Sequence, residues 1–415
     1  MRRSVGPARS RKRLVFLNRF FYPDHSATSQ IVTDLAFHLA GSGADVHVIT
    51  SQQRYDSPRT SLPKSETVNG VHVHRVATSA FGRSALWGRG IDYASYCWSM
   101  WRCARAFVGQ GDVLISKTDP PLTSVVAMWV ARAANAHLVN WLQDIYPETA
   151  AELGVPLMRG TVGRGLARLR DRSLQKAQAN VVVGHLMAER VRSRGVPSDH
   201  VHVIHNWCDD EHLCPIPHDQ NPLRQEWGLE RRFVVGYAGN LGRAHEFQTV
   251  LTAAERLRKH PEVVFLFIGG GHRFDQLERA VSERELQSMF RFIAYQPEER
   301  LKYALNAADV HLISLRPELE GLIVPSKFYG IAAVGRPMIS ITGGDGETAR
   351  LVRQHECGVV IEPGNGQALA DAVLFLRDAP VRRAEMGKRA RAMLDICFSR
   401  KQALAQWESL LATVN

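Results

Sequence analysis

Short apolar runs bounded by turn residues recur along this chain, and their spacing admits few folds. RLVFLN (13–18), VHVIT (46–50), VHVHRV (71–76), DVLISKT (112–118), AHLVNWLQD (136–144), NVVVGH (180–185) and VHVIHN (201–206) occupy the first half. FVVGYAG (233–239), VVFLFIG (263–269), FRFIAY (290–295), DVHLIS (309–314), PMISI (337–341) and GVVIEP (358–363) occupy the second. Many are apolar on both faces, as parallel strands covered by helices must be. Helical patterns separate them. Strand and helix alternating twice over predict an α/β protein with two doubly wound parallel sheets, and 415 residues suffice for two cores.

The polar, proline-rich stretch CPIPHDQNPLRQEWGLERR (214–232) follows one such set and precedes the other. The reading is a first domain over 14–214, a linker over 215–232, a second domain over 233–396 and a terminal helix over 397–415. Residues 1–13, MRRSVGPARSRKR, carry five arginines and one lysine without apolar periodicity and read as a basic disordered tail. That tail lacks the apolar segment of a secretory signal, and no apolar run reaches membrane-spanning length. A cytoplasmic protein is expected.

The net charge of +11 favours polyanionic surfaces or phosphorylated ligands. Part of it lies in MRGTVGRGLARLRDRSLQKAQ, where Leu166, Leu169 and Leu174 alternate with Arg159, Arg164, Arg168, Arg170, Arg172 and Lys176. WGRGIDYASYCWSMWRCARAF adds Tyr93, Tyr96, Trp98 and Trp101 beside Arg102 and Arg105. Both suit peripheral contact with an anionic membrane, and both also suit ordinary packed helices. No nucleic-acid module is visible, so that class is disfavoured. The six cysteines form no C-x-x-C pair and read as reduced thiols. Cys208 and Cys214 with His205 and His212 match no common zinc spacing.

Ligands of doubly wound sheets sit beyond the carboxyl ends of strands. The loop after the first run, FFYPDHSATSQ, has no glycine, which argues against a dinucleotide-binding enzyme. After FVVGYAG, the loop Gly239-Asn240-Leu241-Gly242 leads to Arg243 and His245 at a helix start, an arrangement suited to an anion. After DVHLIS, Glu320 and Gly321 form an acidic turn suited to hydroxyl groups. Pro325 and Ser326 then open a helix in which Lys327 occupies the first turn, where the macrodipole disfavours a cation unless an anion is bound. Diphosphate and sugar hydroxyls side by side describe a nucleotide sugar.

The segments YPDHSATSQIVTDLAFHLAGSGADVHVIT, WLQDIYPETAAELG, VIHNWCDD, VGYAGNLGRAHEF and EGLIVPSKFYGIAAVGRP, in this order, resemble the retaining GT-B glycosyltransferases of family 4. The similarity is strongest to bacterial capsule, O-antigen and colanic-acid-type exopolysaccharide enzymes. The resemblance implies two Rossmann-like domains facing a cleft, the second binding the donor and the first the acceptor. It implies that the terminal helix returns to the first domain. It places Arg243 and Lys327 on the donor diphosphate. Gly239, Asn240, Leu241, Gly242, His245 and Ser326 lie around that diphosphate. Glu320, Gly321, Leu322 and Ile323 face the donor sugar, and Tyr295 and Gln296 flank the base. Ser26, Ala27, Thr28 and Ser29 approach from the other domain, and Asp144 and Glu148 stand on the acceptor side. Asp144, Lys327 and Arg243 are the catalytic candidates. No metal or other cofactor is implied. A glycan or polyprenyl-diphosphate-linked acceptor and a UDP or GDP sugar are the implied partners.

The chain departs from the family pattern at three places. Gly330 stands where many members carry a ribose-binding glutamate, a role left to Glu347 or to backbone. Gln143 replaces a histidine, and Ala27-Thr28-Ser29 replaces a glycine pair. A sugar-nucleotide 2-epimerase of the same fold, or a non-catalytic scaffold, are the alternative readings.

Overall fold

The computed structural model describes residues 12–24, 26–55, 61–81 and 86–414. The first sheet contains β1 (Arg13–Leu17), β2 (Asp45–Ser51), β3 (Ser65–Val68), β4 (Val71–Val76), β5 (Val113–Lys117), β6 (His137–Leu142), β7 (Ala179–Val182) and β8 (Val201–Val203), ordered β3-β4-β2-β1-β5-β6-β7-β8. All neighbours pair in parallel except β3 with β4. The second sheet contains β9 (Phe233–Asn240), β10 (Val263–Gly270), β11 (Phe290–Ile293), β12 (Val310–Ser314), β13 (Met338–Ile341) and β14 (Gly358–Ile361). Its order is β11-β10-β9-β12-β13-β14, parallel throughout. Each apolar run of the sequence carries a strand. The added strand, β3, is a polar antiparallel edge with no apolar signature.

Alternate residues of each strand feed opposite cores, as the pleat requires. Leu14, Phe16, Val46 and Val48 pack with helix Ala27–Gly41 on one face of the first sheet. Val15, Leu17 and Ile49 pack with helices Leu86–Phe107 and Thr123–Ala134 on the other. Helix Pro380–Met393 and a π-helical turn lead into helix Arg400–Thr413. Ala403, Leu404, Trp407, Leu410 and Leu411 of that last helix join the core of the first sheet. Trp141 lies 4.6 Å from Trp407 and 6.0 Å from Trp207 between ring centroids. Truncating a tryptophan buried like Trp407 costs about 3–5 kcal/mol. Asp34 binds both the Trp207 indole N–H, at 2.6 Å, and the Arg400 guanidinium.

The start of the described chain is ordered. Arg13 opens β1 and pairs with Asp112 at 2.8 Å, and Lys12 donates to the Val414 carbonyl. The rest of the expected basic tail, residues 1–11, lies outside the described residues. Arg170, read as part of a basic surface, is instead buried, with Nη2 2.7 Å from Glu148. Tyr96 is also a core residue, its hydroxyl donating to the Ile49 carbonyl at 3.1 Å. Among the described residues, no helix is long and apolar enough to cross a membrane.

In the first sheet the chain leaves β1 toward β2 on one side and returns to β5 on the other. In the second, β9 lies between β10 and β12. These are the switch points at which loops splay apart and leave a crevice. The loops after β1, β5, β6, β9 and β12 meet there.

Candidate functional site

Strands β9 and β10 run in register to their last residues, Gly239 opposite Gly269 and Asn240 opposite Gly270. A Cβ at Gly269 would stand 2.4 Å from the Gly239 carbonyl oxygen, so only glycine permits this approach. The Leu241 N–H then donates to Gly270 at 2.7 Å, which pins the loop. Arg243 projects from it, exposed and without a hydrogen bond or ion pair among the described residues. The Nδ1 of His245 lies 2.6 Å from the Ser314 carbonyl, at the end of β12. Burial, with Lys327 nearby, pushes the His245 pKa down to about 3, so the ring is neutral.

Lys327 is the most exceptional cation of the crevice. Its Nζ lies 3.6 Å from the centroid of the Tyr237 ring, buried, with no hydrogen-bond partner among the described residues. Burial drives its pKa well below the ordinary lysine value. Buried polar groups are normally paired. A cation–π contact recovers only about 2 kcal/mol of a larger desolvation cost. Tyr237 is itself fixed through its hydroxyl, which donates to the Asn240 carbonyl at 2.9 Å. Ser326 stands at the N-cap but makes no capping hydrogen bond, and its side chain is exposed.

The acidic turn faces the first domain. Gly321 has φ +70°, and a Cβ there would meet the Arg190 Nε at 2.7 Å. Arg190 donates to the Glu320 carbonyl at 2.8 Å. Glu320 Oε2 accepts the Glu347 N–H at 3.3 Å, while Oε1 is buried and unpartnered. Burial, reinforced by the nearby Glu347 carboxylate, raises the Glu320 pKa to about 7. The N–H groups of Leu322 and Ile323 close on the Leu319 carbonyl, and the Leu322 carbonyl accepts from Ile145 at 3.0 Å. Asp144 and Ile323 form an isolated antiparallel bridge, so the loops after β6 and β12 touch at the crevice.

Asp144 is half-buried, and its Oδ1 is buried without a hydrogen-bond partner among the described residues. Burial raises its pKa to about 6; Thr118 opposes the rise and Asp119 adds to it. Tyr93 lies in the same electrostatic neighbourhood, its pKa raised by burial and then by Asp119. The Arg19 guanidinium stands 5.4 Å from the Tyr93 ring centroid and 3.8 Å from Asp92. Ser26, at the start of helix Ala27–Gly41, also has a buried hydroxyl without a partner. Unpaired polar atoms on Lys327, Glu320, Asp144 and Ser26 thus come from both domains.

Two family models account for most of the chain. Residues 26–207 match the glycosyl transferase 4-like domain, and residues 219–393 match glycosyl transferases group 1. The chain belongs to the GT-B glycosyltransferases. It is 27% identical over 292 residues to the probable glycosyltransferase WbjE of Pseudomonas aeruginosa, covering 69% of this chain and 72% of WbjE. It is 26% identical over 253 residues to the putative colanic acid biosynthesis glycosyl transferase WcaI of Escherichia coli, covering 59% and 61%. Its fold matches the crystal structure of Anabaena HepE in complex with UDP, with TM-score 0.72, 17% identity, and 97% and 100% of the two chains covered.

The glycosyltransferase holds several of the residues singled out in its sequence in structural contacts. Ser29 is fully buried and its hydroxyl donates to the Asp24 carbonyl at 3.2 Å. The Thr28 carbonyl accepts from Lys117 at 3.0 Å. Ala27 begins the helix whose first turn faces the crevice. Glu148 Oε1 is held by Arg170 and by Arg194, at 2.7 and 3.1 Å. Gln143 and Asn206 exchange two amide hydrogen bonds, at 2.9 and 2.8 Å, which ties together the loops after β6 and β8. Glu347 accepts a backbone N–H on each carboxylate oxygen, from His185 and from Leu186, at 2.8 and 2.9 Å. Gly330 lies within helix Lys327–Ala333. Tyr295 remains exposed beside Gly270, and the Gln296 amide donates to the Ala294 carbonyl at 3.0 Å. The cysteine–histidine set of Cys208, Cys214, His205 and His212 is not gathered within metal-ligand distance.

Sequence reasoning did not single out Lys117, Arg19 or Thr118, and it read Tyr93 as suited to a membrane surface and not as a neighbour of Asp144. Lys117, the last residue of β5, is fully buried, its Nζ 4.1 Å from the Trp141 ring centroid, and burial lowers its pKa to about 7. Its position at the carboxyl end of a strand was the available signal.

Proposed function

We propose that the protein is a retaining glycosyltransferase that moves a sugar from a nucleoside diphosphate donor to a glycan or a lipid-diphosphate-linked acceptor. The observation that carries this reading is the buried, unpartnered Lys327 ammonium beside neutral His245, with the free Arg243 guanidinium on the same loop system. A diphosphate supplies counter-charge to Lys327 and Arg243, and these cations stabilise it as it departs. Exposed Tyr295 offers a face for the base.

Retention requires the acceptor oxygen to attack the anomeric carbon from the face that the phosphate leaves. The C1–O(phosphate) bond breaks as the C1–O(acceptor) bond forms, and the acceptor proton passes to the departing phosphate oxygen. Asp144, with one free oxygen, orients that hydroxyl or takes the proton. Leaving-group neutralisation by Lys327 and Arg243 needs no divalent ion.

The part of its relative WcaI in colanic acid biosynthesis and the UDP held by HepE support polysaccharide assembly and a uridine donor. A thermal-shift panel of UDP, GDP and their sugars, run in EDTA, tests this. Selective stabilisation by one donor, followed by transfer of its sugar, is expected. A strict metal requirement, or no response to any nucleotide, would contradict it.

Peripheral membrane contact belongs to the same reading. Trp98, Trp129, Leu157 and Val162 are exposed on adjoining helices of the first domain, beside exposed Arg102, Arg105, Arg164, Arg168 and Arg172. Salt-sensitive sedimentation with phosphatidylglycerol vesicles is expected; equal affinity for neutral vesicles would refute the electrostatic part.

A further inference from the structure

The edge of the first sheet remote from the crevice carries a cluster that the transfer reaction does not use. His47 of β2 and His72 of β4 are register partners in a parallel pair. Both lie at the amino ends of their strands, whereas the crevice loops leave the carboxyl ends. From His47 to the end of β2 at Ser51, the strand rises roughly 13 Å. His74, two residues after His72, returns to the same pleat face.

The side chains converge. His47 Nε2 lies 3.1 Å from Asp45 Oδ1, and His47 Nδ1 lies 2.9 Å from His74 Nε2. The His47 ring stacks on His74 at 5.2 Å and tilts against His72 at 4.9 Å. One ligand atom from each of Asp45, His47 and His72 falls within 4.8 Å of the others. Phe107 walls the cluster at 5.3 Å from His47, and Thr67 Oγ1 lies 3.3 Å from His72 Nδ1. Asp45 and His47 are half-buried and His72 is exposed, so the cluster is both shaped and reachable.

We propose that Asp45, His47 and His72 bind one borderline divalent transition-metal ion, zinc foremost, with His74 as the outer partner that orients His47. Two imidazoles and one carboxylate, with a position open to water, form a donor set that suits zinc and disfavours magnesium or calcium, which require oxygen ligands. Metal at His47 Nε2 displaces any proton there. His47 Nδ1–H then donates to His74 Nε2, the relation that typically fixes a metal-bound imidazole. The ion would tie β2 to β4 at the edge that also carries β3.

The test uses the full chain, stripped with EDTA and exchanged into metal-free buffer. Calorimetric titration with zinc chloride is expected to saturate at one ion per chain and to raise the thermal midpoint. Cobalt(II) is expected to give visible d–d bands without thiolate charge-transfer absorption. His72→Gln, at an exposed site, and His47→Gln are each expected to weaken binding at least tenfold while leaving nucleotide binding unchanged. Failure to saturate at one ion per chain, a thiolate spectrum, or undiminished affinity in both variants would overturn the assignment.

Discussion

The carboxylate of Glu347, on the second domain, accepts the backbone N–H of His185 on the first at 2.8 Å, and its other oxygen takes Leu186 at 2.9 Å. Glu347 thereby caps helix His185–Arg192 across the domain boundary, where a helix start favours an anion. A Cβ at Gly184 would stand 2.8 Å from the Glu347 carboxyl carbon, so the fit tolerates no side chain. Hydrogen bonds to a charged acceptor contribute about 1.5–3 kcal/mol each, and two of them favour this contact between the domains. Glu347→Ala is expected to enlarge the radius of gyration in small-angle scattering and to weaken donor binding several-fold. An unchanged scattering profile would show that the latch is dispensable.

Lys327 sets function against stability. Its buried, unpartnered amino group is a cost to folding, and Lys327→Met replaces it with an apolar chain of similar length. The variant is expected to melt at a higher temperature than the native protein without nucleotide, and to lose donor-induced stabilisation. Turnover should fall by at least 100-fold. Near-normal turnover would remove Lys327 from the donor site.

Asp144 predicts an acidic limb in the rate profile. With a pKa raised to about 6 by burial, it is half-protonated there and ionised above. If the ionised carboxylate handles the acceptor hydroxyl, kcat/KM rises with pH through about 6 and then levels. Asp144→Asn should lower kcat by roughly 10²–10⁴ and abolish the limb. Retention of the limb in Asp144→Asn would assign it to another group.

Glu320 predicts the pH dependence of folding. Its folded-state pKa, about 7, lies above the ordinary 4.5 because of burial and the Glu347 carboxylate. Between those values the folded chain holds a proton that the unfolded chain has released, so this group's contribution falls as pH rises from 4.5 to 7. Above pH 7 the cost is complete. Glu320→Gln, which can still accept the Glu347 N–H, should match the native protein near pH 4.5. At pH 8 it should be more stable by about 1–2 kcal/mol, a figure reduced for partial solvent screening. Chemical denaturation at both pH values checks the sign; a gain confined to low pH would contradict it.

Parallel strands announce themselves locally, because burial on both faces writes apolar residues at consecutive positions. β3 escaped notice because an antiparallel edge strand, SETV, needs no such run. The crevice loops after β9 and β12 stood out for a related reason: glycines, Arg243 and Lys327 are anomalous within their own segments. Glu347 and Arg170 were not. Glu347 meets partners more than 160 positions earlier, and Arg170 looks in sequence like its solvent-facing neighbours Arg168 and Arg172. Lys117 likewise ends an apolar strand with no local sign that Trp141 and Thr28 will enclose it.

The return of helix Arg400–Thr413 to the first sheet bears on synthesis. The groove over Trp141 and Trp207 emerges from the ribosome long before Trp407, which fills it. At about 5–20 residues per second, the intervening roughly 200 residues take on the order of 10–40 s. For that interval the nascent first domain lacks the aromatic side chain that covers Trp141, and the groove closes only after Trp407 has been made.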